Sequence, residues 1–133
     1  MAPASGAAGL TDTDILIDAA RGLPDAIAFL SAQRAGAGIS ISIISSMELV
    51  AGCRDAAELR QIQQFLRQVI SLPVCASISQ TAHRLMESYS LSHGLQIPDA
   101  LIAATALEHH LTLYTKNVRH FQMIPGLTVH RPY

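Results

Sequence analysis

The sequence predicts an α/β fold, an α/β/α sandwich around a central, mainly parallel five-stranded sheet. Helix and strand signals alternate along the whole chain, the pattern of parallel strands joined by crossover helices. The 133 residues suffice for one hydrophobic core and are too few for two ordinary ones. Half of the residues are apolar and only 14% are charged, which supplies a core and excludes the composition of a disordered chain.

The first strand is short and ends at Leu10 or Thr11. Residues 1–9, MAPASGAAG, then form a flexible extension without the basic start and greasy middle of a secretory signal, and residues 10–133 form the single domain. A helix follows in TDILIDAARG, with apolar residues near 15, 16, 19 and 20 and Gly22 as its stop. Pro24, pre-set for a first helical turn, opens a second helix carrying Ile27, Phe29 and Leu30 and closing at Gly36 or Gly38. ISISI at 39–43 alternates and is rich in β-branched residues, the clearest strand of the chain.

Ser45 or Ser46 is placed to cap a short helix through MELVAG, and Asp55 to cap the amphipathic DAAELRQIQQFLRQVI. A third strand fits Leu72 to Ala76. A Ser-capped helix then runs through SISQTAHRLMESYSLSHG to Gly94, and a further helix through PDALIAATALEHH with Pro98 in its first turn. LTLYT is the fourth strand and LTVH near the end the fifth.

No apolar run reaches the eighteen or so residues of a membrane span, so no membrane association is expected. Cys53 and Cys75 sit in apolar surroundings without CxxC spacing, which fits buried reduced thiols and a cytoplasmic location. The formal charge of −1 and pI near 6.6 lack the basic excess of a duplex-binding protein. Committing Asp12, Glu48 and Asp99 to cations would leave the rest of the chain net positive.

Acidic residues are scarce, so their positions are informative. Asp12 follows the first strand, Glu48 lies beyond the second, Asp99 begins a helix, and Asn117 follows the fourth strand. In an open parallel sheet the carboxyl ends of strands at a topological switch point form the ligand crevice, where distant segments converge. Clustered carboxylates repel, and a hard divalent cation such as Mg²⁺, or Mn²⁺, relieves the repulsion. Read singly, Asp12 is a helix cap and Asp99 a first-turn carboxylate favoured by the helix dipole; the joint pattern points to metal. Asp14 is a supporting residue at most. Of the six histidines, His109 and His110 are adjacent at a helix end, and the HExxH spacing of zinc enzymes is absent. Lys116, Arg119 and His120 flank Asn117, where they are either solvated or in contact with phosphate.

LTDTDILID, SSMELVAG and IPDALIAATALEHHLTLYTKNVRHFQMIPGLTV resemble, in order and spacing, the motif set of PIN-domain nucleases, specifically the VapC-like toxins of toxin-antitoxin pairs. PDALIAATAL followed by T-x-N-x-x-x-F is the most specific part, and the likeness runs from about Leu10 to the C-terminus. It implies a PIN-like sandwich, with Asp12, Glu48 and Asp99 as catalytic metal-site residues and Thr13, Thr115 and Asn117 as polar support. Asn117 counts as a fourth site residue, as a ligand through its amide oxygen or as support. The resemblance further implies an endoribonuclease acting through cation-activated water, RNA as substrate, a VapB-like antitoxin as partner, and a homodimer or larger assembly. Two departures stand out. Many PIN domains carry Asp where this chain has Asn117, and AAGLT replaces the β-branched first strand common in the family.

Two other readings remain. A degenerate PIN module would bind a protein partner without catalysis. A phosphotransferase would use Asp12-Thr13-Asp14 as its DxD nucleophile motif and Lys116 as phosphate clamp, but no acid follows Glu108 to supply the second acidic pair.

Overall fold

A computed structural model describes residues 8–133. The expected extension over 1–9 falls mostly on residues 1–7, outside the described residues, while Gly9 opens the first strand. The elements are β1 (Gly9–Thr11), α1 (Thr13–Ala20), α2 (Pro24–Ala35), β2 (Ser40–Ser42), α3 (Ile43–Ala51), α4 (Ala56–Leu66), β3 (Ile70–Leu72), α5 (Ala76–His93), α6 (Ile97–Glu108), β4 (Thr112–Tyr114) and β5 (Val129–His130), with a 3-10 turn at Val118–His120. All five strands are parallel, in the order β3-β2-β1-β4-β5. From β1 the chain builds outward to β2 and β3, then recrosses to lay β4 on the other side of β1. The switch point thus lies between the carboxyl ends of β1 and β4, where such a sheet opens a crevice.

Two hydrophobic layers hold the helices to the sheet. On one face Leu10 and Leu113 pack against Ile78, Ala82 and Leu85 of α5 and the buried Ala100, Ile102, Ala103 and Ala106 of α6. On the other, Ile41 and Tyr114 meet Ile15 and Leu16 of α1 and Phe29 and Leu30 of α2. Leu113 and Tyr114, adjacent in β4, face opposite layers because strand side chains alternate. The alanines of α6 let that helix lie close to both the sheet and α5, and enlarging one would overpack the layer.

The small first strand has a steric cause. A Cβ on Gly9 would stand 2.2 Å from Cε2 of Tyr114, so the buried tyrosine ring occupies the space a side chain would need. Tyr114 in turn stacks edge-on against Phe29 at 4.9 Å between centroids.

Several boundaries differ from the expectation. The second strand stops at Ser42, whose Oγ accepts from the Ile44 amide and starts α3 one turn early. Ser45 and Ser46, expected as caps, are therefore buried inside that helix. α4 begins as expected, with Asp55 accepting from the Glu58 amide, but ends at Leu66. This frees Ile70–Leu72 to pair with β2 as β3, in place of Leu72–Ala76, and Pro73, lacking an N–H, stops the ladder. α5 starts after Cys75 without a side-chain cap. The cysteines are unpaired, yet Cys53 is only half-buried and Cys75 exposed, so neither is the buried thiol expected. Among the described residues, no helix is long and apolar enough to cross a membrane.

Candidate functional site

Asp12 sits at the switch point. Its amide donates to the Tyr114 carbonyl at 2.9 Å, which continues the β1–β4 ladder by one residue and fixes the side chain at the crevice floor. It is the N-cap of α1, with Oδ1 accepting from the Thr13 amide and Oδ2 from the Thr115 hydroxyl, each at 2.8 Å. The capping role read from sequence is thus the one Asp12 has here, at the switch point of the sheet.

Glu48 reaches the same place from the second turn of α3. Thr13 Oγ1 lies 2.7 Å from Glu48 Oε1 and 2.8 Å from Ser45 Oγ. A hydroxyl has one proton to give, and the carboxylate is the stronger acceptor, so Thr13 donates to Glu48 while Ser45 can donate to Thr13. Glu48 is otherwise exposed toward the crevice.

Asp99 enters from the first turn of α6, half-buried. No side chain caps that helix, and the contact at the Asp99 carboxylate is with His120, whose Nδ1 lies 3.5 Å from Oδ2 and forms an ion pair there when the imidazole is protonated. Asp99 thus occupies the first-turn position, favoured by the helix dipole, that the sequence opened to it.

Asp14, a supporting residue at most in the sequence reading, has partners that the sequence did not reveal. Its Oδ1 accepts from the Ile15 amide, while Oδ2 accepts from the Lys116 amide at 2.9 Å and the Asn117 side-chain amide at 3.3 Å, and stands 3.3 Å from Thr115 Oγ1. The signal available was its position two residues after Asp12 at a helix start. The partners that matter lie about a hundred residues onward, across the β1–β4 pairing. Asn117 is exposed and faces Asp14 rather than Asp12 or Glu48, with its own amide donating to Thr115 Oγ1.

The acids act on one another. Burial above all, then Asp14, then Asp99 raise the Asp12 carboxyl from 3.8 to about 7, against the lowering effect of the Thr115 and Thr13 hydrogen bonds. Burial likewise raises Asp99, with Glu48 and Asp14 adding to it and His120 opposing. Four carboxylates from three helix starts or turns and one strand end thus share a field. Among the described residues, no group of three or more His, Cys, Asp or Glu side chains stands together as a preformed ion cage. Thr13 and His120 hold Glu48 and Asp99 to partners of their own, which keeps like charges apart.

The PIN domain profile matches residues 10–126. The chain belongs to the PIN domain family. Over 120 residues it is 39% identical to Ribonuclease VapC19 of Mycobacterium tuberculosis, a match covering 89% of this chain and 95% of that protein. Ribonuclease VapC10 of the same organism is 37% identical over 119 residues, covering 89% of each. Among solved structures, a toxin-antitoxin complex from Klebsiella pneumoniae is similar at a TM-score of 0.77 and 32% identity, over 94% of this chain and 98% of that one.

In this PIN domain, the phosphate-clamp role considered for Lys116 meets a competing contact, because its ammonium pairs with Asp18 of α1. Tyr133 donates to the same carboxylate at 2.8 Å, and Lys116 followed by Tyr133 holds Asp18 below the usual carboxylate range. Arg131 donates to the Lys116 carbonyl at 3.2 Å. The C-terminal residues therefore tie the loop carrying Asn117 to α1. Flanking the acids on the other side is a cleft of about 480 Å³ between α1, α3 and α4, with Glu48 at its edge and Arg21, Arg54, Leu49 and Ile62 in its walls.

Proposed function

We propose that this PIN domain is a metal-dependent endoribonuclease and the toxin half of a toxin-antitoxin pair, with Asp12, Glu48 and Asp99 as metal ligands and Asp14, Asn117, Thr13 and Thr115 as their support. The observation that carries the reading is geometric: at the switch point of the sheet the Thr115 hydroxyl stands against both Asp12 and Asp14, while Thr13, next to Asp12, donates to Glu48.

The donor set fits a hard divalent cation, Mg²⁺ with Mn²⁺ as substitute, since every candidate ligand is a carboxylate oxygen and a cation would offset repulsion that now raises two of the acids. When bound, such an ion lowers the pKa of a coordinated water and offsets charge on the leaving oxygen of a phosphodiester. The chain's own residues do the positioning. Thr115 and the Thr13 amide orient the two oxygens of Asp12, and Thr13 orients Glu48. Asn117 and the Lys116 amide hold Asp14 in place. His120 stands against Oδ2 of Asp99, so Oδ1 is the oxygen that would face a cation.

A VapB-like antitoxin and a homodimeric or larger assembly belong to this reading, supported by the likeness to a solved toxin-antitoxin complex and by exposed apolar side chains such as Met47 and Val50 on α3 and Leu23 and Ile27 near α2. A non-catalytic binding module is the second reading, favoured by Asn117 and by the lack of a preformed cage among the described residues. The test is cleavage of single-stranded RNA by the purified chain with Mg²⁺ or Mn²⁺ and its loss in EDTA. Equal cleavage in chelator would overturn the metal mechanism, and no cleavage under any condition would favour the binding module.

A further inference from the structure

The near-neutral composition conceals a local concentration of positive charge. A second cleft, of about 620 Å³, is lined by His93 at the end of α5, by Lys116, Asn117, Arg119 and His120 after β4, and by Arg131 after β5. No carboxylate lines it. It abuts the acidic cluster through three of its own walls: His120 faces Asp99, and the Lys116 amide and the Asn117 side chain both donate to Asp14. Arg119 is exposed and has no ion-pair partner among the described residues, and Arg131 spends one guanidinium nitrogen on the Lys116 carbonyl. The cleft beside Glu48 differs in kind, because it is lined by Glu48 and Glu58 and its Arg54 is bonded to Glu58.

We infer that the His93–Arg119–Arg131 cleft is the phosphate track of the substrate, seating the sugar-phosphate backbone of single-stranded RNA on one side of the bond that is cut. The inference rests on the nuclease reading above and adds to it the path of the strand. Guanidinium groups supply paired N–H donors to phosphate oxygens, and an open cleft without acids suits a polyanion whose bases are not read. The track also accounts for how a chain of formal charge −1 engages RNA: Arg119 and Arg131, two of its nine Lys and Arg residues, stand in one cleft beside the acids, while the Lys116 ammonium is paired with Asp18.

The test measures binding of a short unstructured RNA oligonucleotide in EDTA over a salt series, and cleavage kinetics in Mg²⁺, for the parent chain, Arg119→Ala, Arg119→Glu, Arg131→Ala and the control Arg54→Ala. Loss of a phosphate contact should flatten the slope of log Kd against log salt by about 0.7 for a single strand. Arg119→Ala should show that change, weaken low-salt binding roughly fivefold and raise KM with kcat nearly unchanged, with Arg119→Glu more severe. Arg54→Ala should leave slope and KM alone. A parent that neither binds nor cuts RNA would overturn the nuclease reading and the track with it. A parent that cuts RNA, with Arg119 and Arg131 variants of unchanged slope, would overturn the track alone. So would loss confined to Arg54→Ala, or binding of a polyglutamate peptide that is lost in Arg119→Glu while RNA binding survives, which would assign the cleft to an acidic protein partner.

Discussion

The Asn117 side-chain amide donates to Asp14 Oδ2 across 3.3 Å, joining the loop after β4 to the first turn of α1. An aspartate at 117 would bring a second carboxylate to that distance from Asp14. The departure from the common family pattern is thus compensated locally: a donor stands where a charge would need a cation to be tolerated. Asn117→Asp should lower stability in EDTA by on the order of 1 kcal/mol, with much of the loss recovered in Mg²⁺. Thermal melts with and without Mg²⁺ check this, and a variant as stable as the parent in EDTA would contradict the assigned contact. Asn117→Ala should cost less activity than any change at Asp99, since it removes support and no ligand.

The raised Asp12 carboxyl makes stability depend on pH with a definite sign. Between its ordinary 3.8 and about 7 the folded chain holds a proton that the unfolded chain has released, so stability falls as pH rises through that window and levels above it. Asp99, also raised, adds to the same slope. Asp18 and Glu58, both lowered by their partners, act below the ordinary carboxylate range and leave this window alone. In EDTA the Tm should therefore drop from about pH 4 to about pH 7, by the equivalent of a few kcal/mol at most. Asp12→Asn should flatten the profile. A Tm that rises across the window would refute the assigned environment of Asp12.

Gly9→Ala tests the close approach of β1 and the Tyr114 ring. The added methyl meets the ring at 2.2 Å, so either Tyr114 leaves its place against Phe29 or β1 shifts, and Asp12 shifts with it. The expected cost is roughly 1–3 kcal/mol, the range for an overpacked core. Activity should fall further than stability alone requires, because Asp12 hangs on the same strand. Calorimetry and cleavage assays on one preparation separate the two effects.

Element order, parallel pairing and the placing of Asp12, Glu48 and Asp99 at or beyond strand ends and helix starts were legible in the sequence because each depends on local pattern: helical spacing, Pro and Gly at helix ends, and alternating helix and strand signals. What escaped depends on contacts between distant residues. The apolar spacing of α4 runs on to Val69, so its stop at Leu66 reflects the pairing of Ile70 with Ser40, more than the spacing itself. Ile43 continues the alternation of the second strand, and only the Ser42 cap turns it into helix. Asp14 reads as a supporting residue without named partners until β4 is laid beside β1 and delivers Thr115, Lys116 and Asn117 to its carboxylate. The first-strand glycine looked merely poor in β propensity because the ring that requires it is about a hundred residues away.

Asp99→Asn brings the competing accounts of the site to one variant. The substitution keeps the size of the side chain and removes one charge from a half-buried place where burial and neighbouring acids already disfavour ionisation. If Asp99 is a metal ligand, cleavage of RNA and growth inhibition should fall by orders of magnitude, since a neutral amide is the poorer ligand and does less to acidify bound water. Stability in EDTA should stay level or rise, because the carboxylate removed was costly among like charges and only His120 offset it. A helix-capping role would instead predict a Tm lower by several degrees, equivalent to roughly 1 kcal/mol. A non-catalytic module would leave growth inhibition untouched. Antitoxin binding should survive in the first case, so a variant that is inactive, at least as stable in EDTA and still able to bind its partner would separate ligand loss from misfolding, whereas a toxic and destabilised one would assign Asp99 to structure.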